Sequence, residues 1–358
     1  WKWLDPIGQS ISRTSCTFTT LRLLIMSISI VWQSNMRQQT KLETELLMSK
    51  FYVNNINDNS GPNIFATRLK DALVDQGHIF IDTRSNDSFN NISIITGTYF
   101  PQANNILRLD GLDFDKHKTN CDSLNKPIFK CYEMFDKVVF QSEFSKKVYE
   151  TFTGIVKDNV VIHNGVPSSF NPWVKPYLPE PKAKEYEKVC ITSASWRRHK
   201  RLEELVEAFK SPKLSHACLL VLGGQDYNID CEIPENVFML KKYPHRDLPS
   251  IYACADAMLF ISWLDSCPNT VVEALACGIP VMCSHNGGTP ELINGNGVVL
   301  QLEEDYNYGE KVSLYVPSKV DNSVVVEGVL KVLEMPRGFE RPDLDIGQVA
   351  SKYEELFQ

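Results

Sequence analysis

The sequence lacks the features of several specialised protein classes. It has no C-x-x-C pair, and its ten cysteines are scattered from Cys16 to Cys283 without a regular spacing. This usage favours buried thiols in a reducing compartment and argues against a disulfide framework or a zinc site. A formal net charge of −7 argues against a large nucleic-acid footprint, which would show as a basic face. We therefore expect no bound metal and no nucleic-acid partner.

Long hydrophobic runs are missing as well. The apolar stretch LRLLIMSISIVW, at residues 21–32, has only twelve residues, whereas a membrane-spanning helix needs about 20. The segment MSKFYVNN, from Met48, has the pattern of a first strand, so residues 1–47 are interpreted as upstream translated sequence or a fragment edge. A peripheral membrane tether is the remaining alternative. The expected location is the cytoplasm, or the cytoplasmic face of a membrane if the tether is real.

The chain from Lys50 onward alternates strand and helix patterns. Its 358 residues, 43% of them hydrophobic and 23% charged, favour two globular domains. In the helix pattern after the first strand, Phe65, Leu69 and Leu73 fall on one face, and Gly77 provides a stop. Strands are predicted in HIFIDT, ISIITGTY, NNILRLDG, KVVFQS and NVVIHNG, and helices in NKPIFKCYEMF and EFSKKVYETFTG. This alternation predicts a parallel sheet covered by helices on both faces.

A second series of the same kind follows a connection at residues 167–188, which carries five prolines and many charges. Its strands are predicted in KVCITSAS, ACLLVLGG, NVFMLKK and AMLFIS, and Leu202, Leu205, Val206 and Phe209 have the spacing of one face of its first predicted helix. The prediction is an α/β protein with two doubly wound domains, at residues 48–170 and 171–340. The last helix, within residues 341–358, is expected to pack back on the N-terminal domain.

The stretch WLDSCPNTVVEALACGIPVM, residues 263–282, places Asp265 before a predicted helix and Glu273 inside it. Pro268 suits the first helical position, and Gly278 suits the end. In such sheets ligands bind beyond the carboxyl ends of the strands, and the free amides of a helix N-terminus attract phosphate. A carboxylate at Glu273 can accept two ribose hydroxyls. The alternatives are that Asp265 complements the helix dipole and that Glu273 is a solvated surface residue.

This segment resembles the E-x7-E region of retaining glycosyltransferases of the GT-B fold, in particular glycosyltransferase family 4. Asp265 stands at the first acidic position and Glu273 at the second. Further similar stretches are SGPNIFATRLKDALVDQGH, VVFQSEFSKK, VIHNGVP, HKRLEELVEAF and NGGTPELI. The resemblance covers residues 50–358 and implies two Rossmann-like domains that face a cleft, with the nucleotide sugar bound mainly by the C-terminal one.

The resemblance also implies roles for individual residues. Glu273 is expected to bind the nucleotide ribose, and Asp265 to contact the transferred sugar as a catalytic residue, although it is one methylene shorter than the family's glutamate. Thr270 and Val271 are expected to offer backbone amides to the diphosphate.

The basic stretch SWRRHKR follows the first strand of the second domain. Lys200 matches the family's phosphate-binding lysine, and we assign it to donor binding and to catalysis. The family's arginine position is occupied by Ser195, so Arg197, or with slightly less weight Arg198, is expected to substitute. The alternative is that both arginines belong to the solvated start of a helix.

Two glycines and one aspartate complete the predicted site. Gly61 would let the backbone approach the donor phosphates, and Gly224 would line the cleft after a strand. Asp110 is the candidate for the place where family members often carry a histidine that faces the reacting sugar. The alternatives are turn residues at Gly61 and Asp110. His117, His199 and His245 are expected at the surface.

The predicted function is a retaining glycosyltransferase (EC 2.4). It would transfer a sugar from a UDP-sugar or GDP-sugar to a hydroxyl of a glycan, a glycolipid or another acceptor, without a required metal or cofactor. A GT-B epimerase or phosphorylase is one alternative, and a degenerate GT-B protein that binds nucleotide sugar or a partner without turnover is the other. The sequence leaves the base, the sugar, the acceptor and the oligomeric state open.

Overall fold

The computed structural model describes residues 48–54, 60–81, 88–313 and 317–358. The predictions for residues 1–47 lie outside these ranges. The chain divides into two units, Trp1–Ser49 and Lys50–Gln358, and the strands of both sheets belong to the second unit.

The first half of this unit is built on a parallel six-stranded sheet. Its strands are β1 (Lys50–Val53), β2 (Ile79–Phe80), β3 (Phe89–Ile94), β4 (Ala103–Leu109), β5 (Lys137–Phe140) and β6 (Asp158–Val161), in the order β2-β1-β3-β4-β5-β6. The helices of this half are α1 (Gly61–Asp75), α2 (Cys121–Met134) and α3 (Glu143–Thr153). All the strand pairs are parallel, as the alternating pattern predicts.

The second half repeats this architecture. Its strands are β7 (Lys188–Ser193), β8 (Ala217–Leu222), β9 (Val237–Met239), β10 (Ala257–Phe260), β11 (Val281–Ser284) and β12 (Gly297–Leu300), in the order β12-β11-β10-β7-β8-β9. Its helices are α4 (Leu202–Ala208), α5 (Leu248–Tyr252), α6 (Asn269–Ala276), α7 (Thr289–Ile293) and α8 (Asn322–Leu333). Strands β8, β10 and β11 are buried along their whole length, as expected of a sheet covered on both faces. The predicted doubly wound α/β architecture is confirmed.

Helix α6 differs slightly from its prediction. Pro268 has extended backbone angles (φ −69°, ψ 121°) and precedes the helix as its cap residue, so it is not the first helical residue. A proline suits this place as well, because its fixed φ and missing N–H are compatible with both positions. The helix ends at Ala276, and Gly278 follows with φ +71°, a conformation that glycine adopts readily.

The last helix, α9 (Ile346–Glu355), packs against α1 of the first half. Its buried residues Val349 and Tyr353 share a hydrophobic cluster with Phe51 and Phe65. The chain enters this helix beside Val166, whose N–H donates to the carbonyl of Leu344 over 2.9 Å. The domain limits 48–170 and 171–340 remain our proposal for dividing the chain.

The two halves share part of their cores. Leu264 and Tyr306, which follow strands of the second sheet, lie in one buried cluster with Phe114 and Phe144 of the first half. The loops at the carboxyl ends of the two sheets are therefore held against each other. In the described part of the chain, none of the helices combines the length and apolar composition that crossing a bilayer requires.

Candidate functional site

The two predicted catalytic residues of the second half form a direct ion pair. The Nζ of Lys200 donates to Oδ2 of Asp265, and each side chain is 17% exposed. Lys200 comes from the 3₁₀ turn after β7, and Asp265 comes from the loop after β10. These strands are neighbours in the sheet, so their carboxyl ends bring the two loops together. The Lys200 ammonium also lies 5.4 Å from the centroid of the Phe260 ring.

Glu273 is buried, with 1% exposure, which excludes the solvated surface alternative. Its Oε1 accepts from Nη2 of Arg68 over 2.5 Å, and its Oε2 accepts from the hydroxyl of Tyr252 over 3.2 Å. Arg68 lies on α1 of the other half, and nothing in the sequence pattern singles it out. Burial, with the charge of Glu273 as a smaller cause, raises the pKa of Tyr252 well above its ordinary value, so Tyr252 stays a neutral donor to the carboxylate.

The N-terminus of α6 lies between the two halves. In the described residues, the backbone N–H groups of Asn269 and Thr270 have no acceptor, so both remain able to bind an anion. The N–H of Val271 differs from our expectation, because it donates to the carbonyl of Pro268 over 3.1 Å. The side chain of Asn269 donates to the carbonyl of Gly61 over 3.2 Å, which brings the predicted Gly61 to this helix end.

Asp110 is held in place by a buried arginine that the prediction missed. Nη1 of Arg108 donates to Oδ1 of Asp110, and its Nη2 donates to Oδ1 of Asn164 over 2.5 Å. Arg108 is fully buried, and this burial lowers the pKa of its guanidinium. The side chain of Asn164 continues the network to the carbonyl of Cys267 (3.0 Å) and to Oδ1 of Asn269 (2.9 Å). Asp110 is therefore linked to the N-terminus of α6 through two buried polar side chains.

The basic loop contains arginines in different environments. Arg198 donates to Glu204 over 2.7 Å and to Glu203 over 3.3 Å, so its charge is already balanced. Arg197 is exposed and has no ion-pair partner among the described residues, which favours it over Arg198 as a free cation. Arg201 is fully buried and forms an ion pair with Glu303 over 2.5 Å.

His199 corrects the expectation of a surface histidine. Its Nδ1 is buried and has no hydrogen-bond partner in the described residues. Burial, with a smaller contribution from the charge of Lys200, lowers the pKa of His199 to about 4. A neutral imidazole therefore lies beside Lys200 at neutral pH.

Gly224 lies in the turn after β8 in the second half. A Cβ at this position would lie 2.7 Å from Val221 and 2.8 Å from the end of Met239, so a side chain would displace its neighbours. These contacts place Gly224 beside β8 and β9, and they do not include Lys200, Asp265 or Glu273.

The loop that carries Asp265 has two unusual backbone features. Leu264 adopts φ +60°, a rare conformation for a leucine. The N–H of Gly288 donates to the carbonyl of Asp265 over 2.8 Å, and a Cβ on Gly287 would lie 2.6 Å from that oxygen. The glycine pair in NGGTPELI is the only signal in the sequence for this close approach. The packing fixes the backbone of Asp265 while leaving its carboxylate partly exposed.

The polar groups of this site are lysine and arginine cations, carboxylates and the uncharged amides of the α6 N-terminus. Within the ranges that the structure describes, no group of three or more histidine, cysteine, aspartate or glutamate side chains is arranged to hold a metal ion.

Comparisons with known proteins agree on the fold. Residues 176–314 match the family model described as Glycosyl transferases group 1. A segment covering 30% of this chain is 28% identical to the N-acetyl-alpha-D-glucosaminyl L-malate synthase of Bacillus anthracis, and the match spans 30% of that protein. The sequence match thus reaches less than a third of this relative's length.

Two solved structures align over most of the chain. HepE from Anabaena, in complex with UDP-glucose, superposes with a TM-score of 0.56 over 86% of this chain and 99% of its own, at 14% identity. Sucrose-phosphate synthase from Thermosynechococcus elongatus superposes with a TM-score of 0.53 over 87% and 94%, also at 14% identity. Together with the two six-stranded parallel sheets, these likenesses confirm the GT-B fold that the sequence predicts.

Proposed function

We propose that this protein is a glycosyltransferase that uses a nucleoside-diphosphate sugar as donor. The observation that carries the proposal is the convergence of Lys200, Asp265 and the amide-bearing end of α6 at the carboxyl edge of the second sheet. The family match at residues 176–314 covers this edge. The UDP-glucose complex of the similar HepE structure supports a UDP-sugar as the first donor to test, with GDP-sugars as the second.

The cleft can hold a diphosphate without a metal. The ammonium of Lys200, the exposed guanidinium of Arg197 and the N–H groups of Asn269 and Thr270 are four donors suited to phosphate oxygens. As the bond between the sugar and the diphosphate breaks, negative charge accumulates on the leaving diphosphate. Donors that are already oriented towards it then stabilise the transition state more than the ground state.

The carboxylates act on the sugar and on the ribose. Asp265, fixed through its backbone and through Lys200, would accept a hydrogen bond from a hydroxyl of the transferred sugar. Glu273, inside helix α6, would accept hydrogen bonds from the ribose hydroxyls. Asp110, fixed by Arg108, would face the reaction from the first half, where we propose that the acceptor binds. The acceptor class that we propose is a hydroxyl of a carbohydrate or glycolipid.

We further propose that transfer retains the anomeric configuration. In this mechanism the departing diphosphate accepts the proton of the acceptor hydroxyl on the same face of the sugar from which it leaves. The pairing of Asp265 with Lys200 supports this route, because a carboxylate that is bound by a cation is a weaker nucleophile and suits a hydrogen-bonding role better.

The test is a panel of UDP-sugars and GDP-sugars with mixed carbohydrate acceptors, with release of nucleoside diphosphate as the readout. Wild-type protein should release UDP or GDP from at least one donor, and excess EDTA should leave the rate unchanged within about twofold, because protein cations balance the diphosphate charge. Proton NMR of the product should show the donor's anomeric configuration.

Asp265→Ala is the matched inactive variant, and Glu327→Ala, which removes an exposed carboxylate on α8, is the control that should behave like wild type. Nucleotide binding without turnover of any donor would contradict the proposed transferase activity. A rate lost in EDTA and restored by Mg²⁺ would contradict the metal-free charge balance.

A further inference from the structure

The carboxylate of Glu273 is sealed by protein groups. It is 1% exposed, and each of its oxygens has a protein donor, Arg68 at 2.5 Å and Tyr252 at 3.2 Å. A ribose hydroxyl must come within about 3 Å of one of these oxygens to donate a hydrogen bond. In this conformation the space on the Oε1 side is filled by the guanidinium of Arg68, so a ribose can reach Glu273 only if Arg68 moves.

Arg68 reaches Glu273 from the opposite half of the molecule. It lies on α1, where its side chain is 7% exposed. Its Nη1 donates to the carbonyl of Gly165 over 3.4 Å, and its guanidinium carbon lies 5.7 Å from the centroid of the Phe170 ring. Gly165 and Phe170 belong to the same half as α1, so these contacts hold the side chain there, and the ion pair with Glu273 crosses to the other half.

The ion pair lies close to solvent on one side. Nδ1 of His245 is 3.5 Å from Nη2 of Arg68 and 3.8 Å from Oε1 of Glu273, and the His245 side chain is 50% exposed. On this side, the half-exposed side chain of His245 therefore lies between the guanidinium and water. An arginine has a flexible stem and a charged head that water can solvate, so Arg68 can leave the carboxylate along this rim while α1 stays in place.

We propose that Arg68 is a latch that competes with the nucleotide ribose for Glu273 and thereby sets donor affinity. The inference rests on the proposed function, because it takes Glu273 as the ribose-binding carboxylate. With the latch closed, Glu273 has its charge balanced and cannot accept from a ribose. When the ribose binds, its two hydroxyls and solvent replace the guanidinium, and the contact between the halves at this point is broken.

The competition has a measurable consequence. A ligand that binds only the open form has an apparent dissociation constant equal to its intrinsic value divided by the open fraction. Removing the guanidinium raises that fraction, because a lone buried carboxylate favours the conformation in which water reaches it. Arg68→Met should therefore tighten the binding of ribose-containing ligands about tenfold. Inorganic pyrophosphate has no ribose, so its affinity should not change.

The experiment compares wild type with Arg68→Met and with Lys311→Met, a matched control that removes an exposed cation paired with Asp122 of the other half. Calorimetric titrations use UDP, GDP, uridine, guanosine and pyrophosphate. A second measurement needs no nucleotide: mass spectrometry follows the labelling of Glu273 by a water-soluble carbodiimide and an amine. Arg68→Met should bind UDP or GDP, and the matching nucleoside, about tenfold more tightly, and Glu273 should be labelled at least about fivefold faster.

Two further variants keep the test informative if Arg68→Met does not fold. Arg68→Lys keeps the charge but loses the planar fork, and Arg68→Gln removes the charge but keeps a polar side chain. Both should shift nucleoside affinity and labelling in the same direction as Arg68→Met, by smaller factors. Lys311→Met should match wild type in both measurements.

The outcomes separate the latch from the proposed function. Nucleotide binding by wild type that Arg68→Met leaves unchanged or weakens would overturn the latch alone, and so would Glu273 labelling as slow as in wild type. Failure of every folded variant and of wild type to bind any of the nucleotides would overturn the proposed function, and the latch with it.

Discussion

Burial in the folded protein clearly shifts the pKa of His199. Its side chain lies beside Lys200, and burial lowers its pKa from 6.5 to about 4. At pH 7 His199 is neutral in the folded chain and mostly neutral in the unfolded chain, so it has little effect on stability there. Between pH 6.5 and pH 4, His199 is protonated in the unfolded chain but stays neutral in the folded chain. Lowering the pH through this window therefore favours unfolding.

His199→Gln should remove this contribution. The free energy of unfolding of wild type should fall by about 1 to 3 kcal/mol more than that of the variant between pH 7 and pH 4, since one pKa unit corresponds to about 1.4 kcal/mol. Urea unfolding at several pH values measures both slopes. Equal slopes would show that His199 is protonated normally and that its surroundings are wetter than the structure shows.

The residues of the candidate site could be predicted more readily than their partners. The motif around residues 263–282 pointed to Asp265 and Glu273, and the basic stretch pointed to Lys200. Arg68 and Arg108 escaped prediction, because each sits in an otherwise amphipathic helix or strand pattern and acts through a partner distant in sequence. The periodicity of apolar residues predicts which face of a helix or strand is buried, but it does not predict contacts between the two halves.

At the scale of elements, helix α3 is capped from the other half of the molecule. Oε2 and Oε1 of Glu291, on α7, accept from the backbone N–H groups of Glu143 and Phe144, each over 2.8 Å. A carboxylate at a helix N-terminus satisfies unpaired amides and complements the helix dipole. Glu291 therefore adds a second link between the halves, separate from the one made by Arg68.

Glu291→Ala should lower the free energy of unfolding by about 1 to 2 kcal/mol, the usual cost of losing a helix cap. Glu291→Gln should lose less, because its amide oxygen still accepts one bond. Glu327→Ala, at an exposed pair with Lys213, is the control and should leave the urea midpoint unchanged. If Glu291→Ala were as stable as the control, α3 would be capped sufficiently by Ser142 alone.

The bounds of helices and strands agree with the sequence-based prediction where local propensity and packing favour the same element. The strands with continuous apolar runs, such as β8 and β10, lie where they were predicted. Strand β12 and helix α8 were not predicted, although the side chain of Asp321 caps α8 by accepting from the N–H of Ser323. The position of Pro268 shows a further limit, since a proline fits both the cap and the first helical residue.

At the scale of the whole molecule, the fold brings the loops at the carboxyl ends of the two sheets against each other. The network from Asp110 through Arg108 and Asn164 reaches the N-terminus of α6 in the other half. The alternation of strands and helices could predict two doubly wound sheets, because it depends on local pattern. It could not predict how closely the halves meet, because the packing of Leu264 and Tyr306 against Phe114 depends on the complete fold.

The central claim is that Lys200 binds the donor diphosphate and that Asp265 acts on the transferred sugar. The most direct test measures, for wild type, Lys200→Met and Asp265→Ala, the Kd of UDP or GDP and the kcat with the donor identified in the panel. Lys200→Met should weaken nucleoside-diphosphate binding at least about tenfold, because a charge-assisted contact to phosphate is lost. Asp265→Ala should bind the nucleoside diphosphate as tightly as wild type, or more tightly because Lys200 is released, while its kcat falls at least about tenfold. Full nucleoside-diphosphate affinity in Lys200→Met, or full kcat in Asp265→Ala, would contradict the claim.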